Sequence, residues 1–199
     1  MAKIKFTKNE LKRQKDALKR FLRYLPTLML KKQQLQMEIR KIEAQEAESQ
    51  RNRELRFQEI LGWIAVFGED VGFPELLTVT SVDTEVGNIA GVDIPVFQDI
   101  HFEEASYDLF ALPLWVDKAI DTVKELASLD ARISILEKQT ELLGEELRIT
   151  SQRVNLFEKV KIPETNENIR MIQIYLGDEQ TAAVVRGKIA KKKLVRVSR

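Results

Sequence analysis

The chain has 199 residues, with 32 Lys plus Arg, 31 Asp plus Glu and one His, so its formal net charge is +1; 44% of it is hydrophobic and it holds no Cys. The absence of Cys excludes a disulfide framework, a thiolate nucleophile and a cysteine zinc site, and a single His excludes a His-rich metal centre. No stretch approaches the roughly 20 apolar residues of a membrane span, and with no apolar signal core at the N-terminus a cytoplasmic location is expected. Only 8 Gly and 5 Pro point to long uninterrupted elements.

The near-zero total hides a strong partition. Residues 1–41 carry 13 basic and 3 acidic side chains, residues 69–146 carry 4 and 18, and residues 186–199 carry 7 and none. Both ends are basic and the middle is acidic. If the chain folds back on itself, its ends come together and one pole becomes basic.

The first element is a long helix within residues 1–68. Thr7, with Glu10 three residues on, forms the pattern of a capping box that starts it. Leu11, Leu18, Leu25, Lys32, Ile39 and Glu46 fall at seven-residue steps, and Gln14, Phe21, Leu28, Leu35, Ile42 and Ser49 form the companion register. A sustained seven-residue apolar seam indicates a coiled coil. Pro26 lies inside the pattern and is expected to kink the helix.

The middle, residues 69–113, differs. Leu76–Val86 and Val92–Phe102 are rich in Val, Thr, Ile and Phe, and Gly87-Asn88-Ile89-Ala90-Gly91 between them is rich in turn residues. This spacing predicts a β-hairpin, with Pro95 on an edge strand or outside the ladder. Nine of the 14 aromatic residues lie in residues 57–115, with Trp63 and Trp115 flanking the insert. Such a cluster forms a small local core, a docking surface, or both.

The second helix falls within residues 114–199 and runs to the 180s, followed by a basic tail. Its seam holds Leu126, Ile133, Thr140, Leu147 and Val154 in one register and Leu129, Leu136, Leu143, Thr150 and Phe157 in the other. The pattern then shifts by one position to Ile162, Ile169, Ile172 and Leu176, a local change of supercoil, with Pro163 at the shift. Val116, Ile120 and Val123 extend the helix backwards, and Pro113 suits its first turn. Neither helix buries its seam alone. The expected fold is therefore mainly α, a long antiparallel two-helix coiled coil with a short β-hairpin between the helices. A turnaround near residue 91 places position i roughly opposite 182 − i, which brings Pro26 and Pro163 within a few turns of each other, where a bend or a change of supercoil is expected.

No phosphate-cradling glycine loop, G-x-S-x-G or H-E-x-x-H occurs, so no catalytic group, cofactor or metal is expected. His101 with Glu103 and Glu104 reads as ordinary hairpin residues rather than a metal cluster. The basic ends lack aromatic interleaving for base stacking, so nucleic acid is not the expected partner.

Arg153-Val154-Asn155-Leu156-Phe157-Glu158-Lys159-Val160-Lys161-Ile162-Pro163 resembles the R-V-N-A-L-E-x-V-x-I-P signature of the family of D subunits of V/A-type rotary ATPases. Asn168-Ile169-Arg170-Met171-Ile172 through Leu176, Asp178-Glu179 and the Lys-rich end also follow that family, and Asn88 to Val92 with Ile94-Pro95 resembles its central hairpin. The family's usual mid-helix Gly and K-R-D stretch are replaced by Leu25-Pro26-Thr27 and Lys31-Lys32-Gln33-Gln34. The resemblance implies a non-catalytic central-stalk rotor axle. It couples ATP synthesis or hydrolysis in a hexamer of catalytic A and B subunits to H⁺ or Na⁺ transport. It further implies partnership with the small F subunit of the stalk and with a connector to the membrane ring, and a cytoplasmic position peripheral to the membrane, with no direct insertion.

With that implication, Lys8, Lys12, Arg13, Arg186, Lys188 and Lys191 are expected to gather near one pole and face the hexamer. Arg153, Asn155, Glu158 and Pro163 are the family-motif positions on the coiled coil. Trp63, Phe67, Asn88, Gly91 and Trp115 are the candidates for docking partners. The rival from another class is a prefoldin-like coiled-coil chaperone or scaffold, which needs apolar grip residues at free helix ends where this chain is basic. An enzyme is a distant third.

Overall fold

The computed structural model describes residues 4–63, 76–105, 112–113 and 115–197. The chain divides into two compact units, Met1–Lys31 with Thr150–Arg199 and Lys32–Ile149. Among the described residues the elements are α1 (Lys8–Leu61), β1 (Leu77–Ile89), β2 (Val92–Glu104), α2 (Trp115–Leu156) and α3 (Ile162–Val197); a π-helical turn, Phe157–Lys161, joins α2 to α3. The fold is thus mainly α, with two long helical stretches and a short antiparallel hairpin between them.

The start of α1 follows the expected cap in part. The Glu10 backbone N–H donates to the Thr7 hydroxyl oxygen at 3.2 Å, but Thr7's own N–H goes to the Lys5 carbonyl. The Glu10 carboxylate instead accepts from Gln14 Nε2 at 2.8 Å. All twelve positions of the first seam are buried or half-buried, including Gln14, Lys32, Glu46 and Ser49; so are all ten of the second, including Thr140 and Thr150. Periodicity therefore chose the inward face even where a polar residue fills it.

In the unit Lys32–Ile149, Leu35, Ile42, Leu136 and Leu143 meet across the helix pair, and Ile94 of β2 closes the cluster. The helices run antiparallel: Arg53 Nε donates to Asp130 Oδ1 at 2.5 Å and Arg56 Nε lies 3.2 Å from Glu125 Oε2. The bond to Asp130 holds the Arg53 guanidinium above its ordinary pKa, and a hydrogen bond to Glu59, with the charge of Glu125 beside it, does the same for Arg56. In the unit Met1–Lys31 with Thr150–Arg199, Phe6 packs on Tyr175 at 5.1 Å between ring centroids and Phe21 stacks on Phe157 at 5.3 Å. The pairs in both units follow the 182 − i reflection to within about one helical turn.

The hairpin loop is shorter than the glycine-rich stretch suggested. Gly87, Asn88 and Ile89 belong to β1, and the turn is Ala90-Gly91 alone. Both turn residues have positive φ, 52° and 79°, the signature of a tight type I′ turn whose twist matches the strands. Asn88 secures it, its Oδ1 accepting the Gly91 N–H at 3.1 Å and its Nδ2 donating to Asp93 at 2.7 Å. Gly87 is needed for a different reason: a Cβ there would lie 2.8 Å from Val96 Cγ2 on the paired strand.

α1 continues unbroken through Pro26, while the irregularity sits on the other helix as the π turn before Pro163. The Ile162 N–H bonds the Phe157 carbonyl, five residues back rather than four. One extra residue is thereby absorbed, so the inward register resumes at Ile162, Thr165, Ile169, Ile172 and Leu176. The one-position shift in the apolar pattern is this π turn. It also widens the backbone just where a Pro ring would press on the carbonyl four residues earlier. Finally, α3 reaches Val197, past the 180s, and Pro113 precedes its helix, its carbonyl accepting the Val116 N–H at 3.1 Å.

Seam burial is directly measurable. Replacing the fully buried Leu143 by Ala is expected to lower unfolding free energy by about 3 kcal/mol, whereas Leu30→Ala on the exposed face of α1 costs less than about 0.5 kcal/mol. Thr140 Oγ1 is buried with no hydrogen-bond partner, so Thr140→Val is expected to raise stability by about 1 kcal/mol. Urea denaturation of the variants checks each; a destabilised Thr140→Val would reveal a partner for that hydroxyl.

Candidate interaction surfaces

Lys8, Lys12 and Arg13 on the first turns of α1 and Arg186, Lys188 and Lys191 on α3 are all exposed and all belong to the unit that holds both termini. That unit carries 21 basic and 7 acidic side chains, a net of +14; the other carries 11 and 24, a net of −13. Asn9, Lys12, Arg13, Asp16 and Arg20 outline a shallow depression of about 350 Å³ on α1. Beyond Gly177 every described side chain of α3 except Ala182 is exposed, because α1 begins only at Lys8 and Phe6 already meets Tyr175. Val184, Val185 and Ile189 are among them, so this end is apolar as well as basic.

The four motif residues Arg153, Asn155, Glu158 and Pro163 all face outward; Val154, Phe157 and Ile162 are the inward members of that stretch. Leu156 and Val160, one turn apart across the π turn, are large apolar side chains left about half exposed. Thr165 donates its hydroxyl to the Lys161 carbonyl at 2.6 Å, satisfying a backbone group at the end of the wide turn. Farther on, Arg170 grips Glu167 through Nε at 3.0 Å and Nη2 at 2.8 Å. That hydrogen bonding holds the Glu167 carboxyl below its ordinary value and Arg170 above its own.

At the hairpin, Asn88 and Gly91 are occupied in building the turn. Trp115 packs with Leu112 and Leu77 against Leu76, Val116 and Ile120, a small core at the hairpin's base. Lys118 Nζ stands 5.3 Å from the Trp63 ring centroid, a cation–π contact. Phe67 lies outside the described residues. His101 Nε2 is 2.9 Å from Asp83 Oδ2, and Glu104 pairs instead with Lys124 at 2.6 Å, so His101, Glu103 and Glu104 do not converge. Among the described residues no group of three or more His, Cys, Asp or Glu is placed to hold a metal.

Two features escaped sequence reasoning. A groove of about 590 Å³ runs between hairpin and helices, lined by Ile42, Ser49, Ile94, Phe97, Arg132 and Gln139. Gln139 Nε2 donates to the Pro95 carbonyl at 2.5 Å and Arg132 covers the Phe97 ring, ties that no local pattern announces. The second is an exposed apolar stripe of Leu22, Met29 and Leu30 on α1, alongside its seam. Its spacing of seven and eight residues was visible in the sequence beneath the stronger seam signal.

The sequence profile of the family described as the D subunit of ATP synthase matches residues 10–192. The D subunit of the V-type ATP synthase of Borreliella burgdorferi is 53% identical over 199 residues, covering 100% of this chain and 98% of the relative. That of Chlamydia pneumoniae is 34% identical over 194 residues, covering 96% and 93%. That of Chlamydia trachomatis serovar L2 is 35% identical over 199 residues, covering 97% of each. No described helix is long and apolar enough to cross a membrane.

The π turn makes the motif tolerant of one specific deletion. Removing Lys159 while replacing Pro163 by Ala leaves an ordinary α-helix with both seams in register, and the thermal midpoint is expected to move by no more than about 4 °C. Removing Glu145, in the regular part of α2, turns every later seam residue by about 100° and is expected to lower the midpoint by more than about 10 °C. Circular dichroism melts of the two variants decide it; equal damage would mean the π turn carries no surplus residue.

Proposed function

Because the chain belongs to the family of D subunits of V-type ATP synthases, matched along nearly its whole length, we propose that it serves as the non-catalytic central-stalk axle of such a machine. It carries torque between ATP chemistry in a hexamer of catalytic A and B subunits and the passage of H⁺ or Na⁺ through a membrane ring. In this reading the basic unit faces the hexamer. The acidic unit faces the small F subunit of the stalk and the connector to the ring, and the chain stays peripheral to the membrane, held by its complex.

The observation that carries the reading is the division of charge, +14 on the unit with both termini and −13 on the other. A part with two different neighbours needs two different surfaces. Torque needs stiffness, and paired helices with an apolar seam resist twisting better than one helix. Turning needs contacts that are many and individually weak. Exposed ion pairs, worth about 0–1 kcal/mol each and screened by salt, meet that need.

Reversing Lys8, Lys12, Arg13, Arg186, Lys188 and Lys191 to Glu is expected to leave the helices folded and to abolish co-elution with the catalytic hexamer at about 0.15 M salt. Hexamer assembly and rotation at the unreversed level would sink the assignment. One observation favours a second reading, a prefoldin-like chaperone: Val184, Val185 and Ile189 stand exposed at a free helix end. Suppression of client aggregation that disappears when the three are changed to Ser would support it. A chain without holding activity removes it.

A further inference from the structure

We propose that the outer edge of β1 receives an extended, basic segment of a partner protein as a third strand of the hairpin sheet. Among the described residues the sheet has two strands, so each has one edge that no other described strand pairs. The two are not alike. β2 lies against the helices, with Ile94 and Ile100 buried and the Pro95 carbonyl bonded by Gln139. β1 has nine consecutive exposed residues, from Thr78 to Val86.

The register says which backbone groups face out. Across a two-residue turn the closing pair, Ile89 with Val92, exchanges both hydrogen bonds, and the pairs then alternate. Gly87 with Ile94 and Glu85 with Val96 are therefore bonded pairs. Asn88 with Asp93, Val86 with Pro95 and Thr84 with Phe97 are the intervening unbonded ones. Pro95, which has no N–H to give, sits at one of these, consistent with that alternation. The N–H and C=O of Thr84, Val86 and Asn88 thus point away from β2, and among the described residues no backbone hydrogen bond reaches them. The two register irregularities lie upstream, at Val79/Ser81 and Asp83/Thr84, so Thr84 to Ile89 is a regular stretch without Pro or Lys. The irregularities and the acidic Asp83 and Glu85 are themselves edge protections against self-pairing, but within Thr84 to Ile89 no bulge, Pro or Lys blocks a strand of opposite charge.

Charge selects the occupant. The hairpin holds Asp83, Glu85, Asp93, Asp99, Glu103 and Glu104 and no Lys or Arg. A second copy adding edge to edge would bring like charges together, which disfavours self-pairing. A segment alternating Lys or Arg with small apolar residues satisfies the free backbone groups, neutralises Asp83 and Glu85, and covers Val86, whose residue is 75% exposed. The inference concerns the edge alone and does not depend on the axle reading.

The probe is a short peptide alternating Lys and Val, N-methylated along one edge against self-stacking, added to the full chain. Its binding is expected to slow amide exchange at Thr84, Val86 and Asn88 and not at Glu85 or Gly87. Val86→Pro deletes an outward N–H without removing a hairpin bond and is expected to weaken binding about tenfold or more, while Val86→Thr binds as wild type. Asp83→Lys with Glu85→Lys is expected to weaken it similarly and, unlike Val86→Pro, leaves the backbone untouched, so a misfolded proline variant does not spare the proposal. Replacing the peptide's Lys by Glu should abolish binding. Equal binding of the Glu peptide, no protection at the three amides, or a dimer through β1 in sedimentation would overturn it.

Discussion

Neither long helix buries its apolar seam without the other, and most of this molecule follows from that constraint. A lone amphipathic helix in water gains little from propensity; tertiary burial supplies the stability. Here the partner face is in the same chain, so the chain must reverse, and the reversal needs a connection that itself covers apolar surface. The hairpin meets both demands. Its turn end, with Ile89, Ala90, Val92 and Ile94, packs onto Leu35, Ile42, Leu136 and Leu143 rather than standing off in solvent. Ala90 keeps a positive φ there although Gly would relieve it, because its methyl contributes to that packing.

The seam is not uniformly apolar, and its polar members have local solutions. Thr165 spends its hydroxyl on the Lys161 carbonyl, and the inward Gln14 is tied to Glu10. Thr140 is the exception, with a buried hydroxyl left unpaired. Such groups cost stability, and one recognised compensation in coiled coils is that a polar position forbids alternative registers. A chain whose seams also contain a one-residue shift has an obvious alternative register to forbid. The π turn and Pro163 favour one place for the shift, since in the tighter turn of a slipped helix the Pro163 ring would press on the carbonyl four residues earlier, a cost the wider turn relieves.

What the sequence made legible was what periodicity encodes. Every seam position named from spacing is inward, including Lys32 and Glu46, where composition alone pointed outward. The shift at Phe157 was also readable, but as a change of supercoil, because a one-residue insertion and a supercoil change leave the same mark on a linear pattern. The structure distinguishes them by a hydrogen bond, Ile162 to Phe157. The glycines misled at the hairpin. Gly87 marks a close approach to Val96 rather than a turn, and Ala90 took the turn position. Side-chain ties between distant elements, such as Gln139 to Pro95, leave no periodic trace and were invisible. At the surfaces, the basic residues were legible as a group, yet the exposed apolar side chains beside them were not, since hydropathy counts every Val as a core candidate.

That mixture bears on how the terminal unit meets a neighbour. A purely charged surface would bind through terms that salt removes; a purely apolar one would bind through area and hold fast. Val184, Val185 and Ile189 lie interleaved with Arg186, Lys188 and Lys191 on a helix end that stays exposed among the described residues. Val185 and Ile189, four residues apart, share one helix face, but Arg186, Lys188 and Lys191 lie close by in the sequence, so the apolar area is small beside that of a closed interface gaining roughly 25 cal/mol per Å². The result is a surface with short-range grip and long-range steering but no single deep minimum. For the axle proposed above, a smooth landscape of small terms would serve better than a few strong bonds, because the barrier to turning scales with the contacts that must break together.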